Sequence, residues 1–241
     1  MQMLISLKTR LTLCLDDHAV ASWTSLDADN PLGSHFNKHE LPLNEDILNR
    51  SNRTWCCMNY TNMRKTVPLE DEGHTTCHVV LFTEVENAAE LRQLIMKGQV
   101  EASLVKPEMA VDVFPVVVAA NKAVRSQAAK KMVTRSVFSE ILFNLSPTKN
   151  ITESLKTFGL GDSDKSVLAV VLEGSEEAQT GKMEKLMTQI KGQVTDLIHL
   201  SSLTDEKRVR ELYKIPDPEL TVSSLSEAVV SRVACKEFFT L

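Results

Sequence analysis

The chain has 241 residues, 43% hydrophobic and 24% charged, with a formal net charge of −5 at pH 7. That suffices for one ordinary core, or one core plus a tail, in a soluble globular protein, and it excludes a chain that coats nucleic acid through bulk positive charge. Apolar runs such as Val167 to Leu172 fall far short of the roughly 20 residues that cross a bilayer, so no membrane contact is expected.

The N-terminal "MQMLISLKTRLTLCLDD" faintly resembles a signal sequence, but Lys8 and Arg10 split its apolar stretch, and it is read as unprocessed. Five cysteines without regular spacing suggest a reducing compartment and no disulfide framework. Three Asn-x-Thr tripeptides, at Asn52, Asn59 and Asn150, are discounted on the same ground. Residues 22–62 are polar, rich in Asn, Asp, Ser and Pro, and hold no sustained period of 2 or 3.6. Residues 1–62 are therefore predicted to be a poorly structured extension, and residues 63–241 a single globular domain.

Beyond His74 the elements are regularly punctuated. A buried strand is expected from Cys77 to Phe82, because the run is β-branched and apolar. Asn87 then caps a helix over "AAELRQLIMK" that ends at Gly98. A short strand over Ala102 to Val105 stops at Pro107, and Asp112 precedes a long helix starting near Phe114-Pro115. Helices follow over Val137 to Leu145, and from the cap Asn150 to Gly159 with Glu153 at capping-box spacing. Strands are predicted at Val167 to Leu172 and Val194 to His199, with a helix around Met183 to Lys191 between them. Two final helices are expected, Asp205 to Tyr213, opened by Thr204, and Thr221 to Ala234. The order implies an α/β (α+β) fold: a mixed, largely antiparallel sheet flanked by helices.

Few residues suggest bond chemistry. His74, Cys77 and His78 lie close together, with Cys56 and Cys57 upstream, but adjacent cysteines seldom share one zinc, and a strand sends Cys77 and His78 to opposite faces. They read as a core thiol beside a surface imidazole. No Gly-x-Ser-x-Gly elbow occurs, and "FGLGDSDKS" lacks phosphate-loop spacing. No cofactor, metal or catalytic residue is assigned. The alternative is a stand-alone small α/β enzyme whose site is not readable from local motifs.

Two features suggest binding. In "SVFSEILFNL" the residues Phe138, Ile141, Leu142 and Leu145 belong to an apolar arc too wide for one helix face, to be covered by this chain or by a partner. From Val113 to Ser139 there is no Asp or Glu, yet Lys122, Arg125, Lys130, Lys131 and Arg135 fall inside. At about 100° per residue Val117, Ala120, Val124 and Ala128 share one side of the long helix, leaving Lys122, Arg125 and Lys130 on a cationic face. A solvated face usually mixes signs, whereas phosphate neutralisation explains the bias.

"VAANKAV", "TRSVFSEILFNLSP" and "ITESLKTFG", in this order, resemble the PRPK-binding protein family of KEOPS subunits, and "LYKI" and "SEAVVSRV" extend the likeness over residues 63–241. It weakens between Gly174 and Met187. The resemblance implies a non-catalytic subunit, cytoplasmic and nuclear, in a complex that makes N6-threonylcarbamoyladenosine in tRNA. Its implied partners are the PRPK kinase-like ATPase, bound directly, other KEOPS subunits, bound indirectly, and tRNA. Phe138, Ile141, Leu142 and Leu145 are the candidates for the kinase face, and Lys122, Arg125, Lys130, Lys131 and Arg135 for tRNA.

Overall fold

A computed structural model describes residues 63–174 and 181–238. The predicted extension over residues 1–62 lies outside the described residues. The described part is an α+β domain built on a five-stranded sheet in which every pairing is antiparallel.

The central strand β2 (Thr76–Thr83) pairs along one edge with β4 (Val167–Glu173), so that Val79 faces Val170 and Leu81 faces Leu168. Along its other edge it pairs first with β1 (Arg64–Pro68) and then with β5 (Gln193–Thr195); β3 (Ser103–Val105) lies outside β4. β4 is buried at every position, and β2 at all but its two ends, so both faces of the sheet must be covered.

Alternation assigns those faces. Val80, Phe82, Val167, Ala169, Val171 and Leu104 form one core with Ala88 and Leu91 of α1 (Ala88–Met96) and with Met183 and Leu186 of α5 (Lys182–Gln189). On the opposite face Cys77, Val79, Leu81, Leu168 and Val170 are equally buried, and α2 (Val113–Ala128) and α3 (Val137–Leu145) contact β2 and β3. α4 (Ile151–Phe158) packs on α3. A short α6 (Leu200–Leu203) precedes α7 (Glu206–Tyr213) and α8 (Leu225–Ala234), and α8 lies against α2. Tyr213 closes this side: its hydroxyl donates to Leu145 O, and its ring meets Phe158 edge-on at 6.3 Å.

Several expectations need correction. β1 was missed because a five-residue edge strand carrying Arg64, Lys65 and Thr66 has little apolar pattern to show. The strand expected over Val194 to His199 covers only Gln193–Thr195. Asp196 then accepts the Ile198 N–H at 3.0 Å, starting a 3₁₀ turn over Leu197–His199 that runs into α6. The helix expected from Thr221 begins at Leu225, where Ser224 and Glu227 form a complete capping box.

Asn87 precedes α1 but does not cap it. Its side chain instead donates to Gln189 O and accepts from Lys191 N, both at 2.9 Å, tying α1 to the end of α5. At α7 the cap is Asp205, which accepts the Arg208 N–H at 3.0 Å, whereas the Thr204 hydroxyl donates to Ala110 O.

Candidate binding surface at the end of α2 and the start of α3

α2 does not have the continuous cationic face expected of it. From Val113 to Asn121, and again at Ala123 and Val124, every residue is buried, because the helix is packed between the sheet, α3 and α8. Val117, Ala120 and Val124 are core, as their spacing suggested, but Ala128 is exposed.

Lys122 sits inside this buried stretch. Its ammonium donates to Val233 O at 2.7 Å and Ala234 O at 3.2 Å and pairs with Glu237 at 3.0 Å. It thus satisfies carbonyls at the end of α8 that have no partner within the helix. Arg125, Lys130, Lys131 and Arg135 are exposed. The structure therefore separates one of the five predicted cations from the other four.

The turn between α2 and α3 is closely specified. Lys130 takes φ +54, and the Lys130 and Lys131 N–H groups donate back to Gln127 O at 3.0 Å and Ser126 O at 2.8 Å, a Schellman-type ending without glycine. Ser136 caps α3, its hydroxyl oxygen accepting the Ser139 N–H at 3.1 Å.

One turn into α3, Glu140 is 2% exposed. Its carboxylate accepts the Val133 N–H at 3.1 Å, and the Thr134 N–H and hydroxyl at 2.7 Å each. Sequence reading passed over Glu140. The available signal was a carboxylate set among Phe138, Ile141 and Leu142, where an unpaired charge would be costly.

The apolar arc of α3 resolves into two groups. Ile141 (0% exposed) and Leu145 (2%) belong to the chain's own core, so their side chains offer nothing to a docking protein in this structure. Phe138 and Leu142 are half-buried, and Val133, on the preceding loop, is 56% exposed. Below α3, Lys236 lies over the Phe143 ring at 3.3 Å and donates to Phe143 O. Burial, and next the positive charge of Lys122, push its ammonium down to about 7.

The expected surface imidazole is in fact buried. His78 is 7% exposed, and its Nε2 lies 3.2 Å from Glu173. Its Nδ1 lies 3.0 Å from both the Thr66 hydroxyl and the Arg64 guanidinium. Thr66, His78 and Glu173 thus stand in nucleophile, base and orienter positions, but Arg64 donates into the nitrogen a base would use. Burial, then the Arg64 charge, hold the His78 pKa below its ordinary value. Glu173 also accepts the Met183 N–H at 3.1 Å, so the cluster pins α5 to the sheet.

The Cys77 thiol is fully buried and pushed up to about 12 by that burial. Among the described residues no group of His, Cys, Asp and Glu is placed to hold a metal ion. No helix among them is long and apolar enough to cross a membrane. An open groove of about 700 Å³ along α7 is lined by charges of both signs, Glu206, Lys207, Arg210, Glu211 and Lys214.

The best-built surface is therefore the exposed basic turn beside the start of α3, and comparison with known proteins identifies the family. The family model described as "Kinase binding protein CGI-121" matches residues 82–237. The chain is 41% identical to the EKC/KEOPS complex subunit TPRKB of Danio rerio over 175 residues, 73% of this chain and 99% of the relative. It is 30% identical to the EKC/KEOPS complex subunit CGI121 of Yarrowia lipolytica over 155 residues, 64% of this chain and 86% of the relative. To the Schizosaccharomyces pombe subunit cgi121 it is 23% identical, with 68% of this chain and 95% of the relative covered. The chain belongs to the CGI-121 family of kinase binding proteins.

Proposed function

We propose that the chain is a non-catalytic subunit of an EKC/KEOPS complex. It binds the PRPK kinase-like ATPase directly, meets the other subunits through that contact, and helps bring tRNA to N6-threonylcarbamoyladenosine modification in cytoplasm and nucleus. The observation that carries this reading is the 41% identity to a named EKC/KEOPS subunit across 99% of that subunit's length.

Chemistry favours the same reading, since in the Thr66, His78 and Glu173 array the imidazole is buried and its Nδ1 is occupied by Arg64. The kinase face is assigned to Phe138 and Leu142, the half-buried members of the α3 arc. Partly covered apolar side chains rimmed by polar groups suit docking of another protein. The tRNA contact is assigned to Arg125, Lys130, Lys131 and Arg135, exposed within the acid-free window.

Co-purification with the kinase-like subunit tests the first contact. Replacing Phe138 and Leu142 by Glu together should weaken that complex at least about tenfold, since truncated interface anchors typically cost more than 1 kcal/mol each. Undiminished association would remove this face from consideration, and no association of the unaltered chain would remove the whole reading.

A further inference from the structure

We infer that Glu140 is a positioning residue for tRNA binding: its buried carboxylate clasps Val133 and Thr134 and so holds Lys131 and Arg135 in one arrangement. This deepens the tRNA reading given above and rests on it.

The geometry has three parts. The carboxylate arises in the first turn of α3, fixed by the Ser136 cap and by the Glu140 N–H donating to Ser136 O at 2.9 Å. Both of its oxygens face the turn: Oε2 takes the Thr134 N–H and hydroxyl at 2.7 Å, and the Val133 N–H is shared between Oε1 and Oε2 at 3.1 Å. Each clasped residue is a chain neighbour of a cation or one step from it, with Lys131 two residues before Val133 and Arg135 directly after Thr134.

Without the carboxylate, this turn, with Lys131 and Arg135 exposed, would be held by the α2 terminus, the Ser136 cap and the Thr134 hydroxyl's contact with Ser136 O at 3.0 Å. Binding would then have to supply the ordering itself, which lowers affinity. The buried charge is tolerated because hydrogen bonds, two of them from backbone N–H groups, replace its water.

The sign of one substitution separates this role from simple electrostatics. Glu140→Gln removes a negative charge beside a basic turn, so if Glu140 acted only through its charge, tRNA would bind more tightly. A positioning residue gives the opposite result. The measurement is affinity of the purified full-length chain for a tRNA transcript across salt concentrations, paired with amide exchange at Val133 and Thr134.

For Glu140→Gln we expect about tenfold faster exchange at both amides and roughly three- to tenfold weaker tRNA binding, with the slope of log affinity against log salt unchanged because every cation is still present. Thr134→Val, which removes the hydroxyl's contacts with Glu140 and Ser136 O and leaves both N–H groups, should weaken binding less in the same sense, and it serves alone if Glu140→Gln does not fold. Unchanged or tighter binding overturns the inference. Lys131→Glu with Arg135→Glu identifies which statement fails. A lower salt slope there, with no effect of the clasp variants, sinks only the clasp; no effect of the reversals sinks the tRNA reading and the clasp's role with it.

Discussion

Lys122 and Lys131 are nine residues apart in the same acid-free window, yet the structure uses them in opposite ways. Lys122 lies on the part of α2 packed against α8, and its ammonium is spent on Val233 O, Ala234 O and Glu237. Lys131 lies beyond the Schellman-type ending of α2 and is exposed. Helical spacing placed Lys122 with Arg125 and Lys130, because periodicity reports direction around one helix and is blind to what stands opposite. A cation is available to a partner only where the chain's own carbonyls and carboxylates have not already claimed it.

The largest expected effect breaks the same contrast on α3. Ile141→Glu puts a charge at a position that is 0% exposed and should cost about 4 kcal/mol or more in urea unfolding, the size associated with an unpaired buried charge. The half-buried Phe138, given the same substitution, should leave the fold intact. If Ile141→Glu unfolds at the same urea concentration as the parent, the division of the arc into core and surface is mistaken.

An intermediate effect belongs to the lysine pair. Lys122→Ala should lower stability by about 1–2 kcal/mol through lost charge-assisted bonds to the α8 carbonyls, and leave the salt dependence of tRNA binding unaltered. Lys131→Ala should do the reverse, shifting stability by no more than about 0.5 kcal/mol while lowering the salt slope by about 1. Equal behaviour of the two variants in either assay would erase the distinction.

The smallest effect within the physiological range is one of pH. Lys236 has its native pKa pushed down to about 7, so between there and the ordinary lysine value near 10.5 the unfolded chain holds a proton that the native state has released. Stability should therefore rise with pH across that window, by at most about 1.4 kcal/mol per pH unit, and Lys236→Met should remove this rise. His78, held below its ordinary 6.5, contributes in the same direction at lower pH: acidification from 6.5 downward protonates the unfolded chain first and favours unfolding. Stability curves of parent and Lys236→Met that run parallel from pH 7 to 10.5 would show that Lys236 is not the titrating group.

Elements whose apolar pattern is strong were legible from the residues alone. β2, β4, α3 and α4 lie within a residue or two of their predicted bounds. Those whose existence depends on a neighbour were not: β1 is a strand because β2 offers Val80 to Thr76 as partners, and Leu197 to Leu203 turns helical after the Asp196 cap. At the candidate surface the basic residues were readable as composition. Which of them stay exposed, and that Glu140 secures the turn bearing two of them, was not.

By itself, the order of residues determined the alternation of strands and helices, the family likeness and the absence of acids between Val113 and Ser139, because each of these is a local property of side-chain type and spacing. Only the tertiary structure decided that His78 is buried, that Lys122 serves α8 and that Ile141 faces inward. Each of those outcomes depends on groups distant in sequence, Glu173, Val233 and the opposing sheet, and burial is a property of the packed whole.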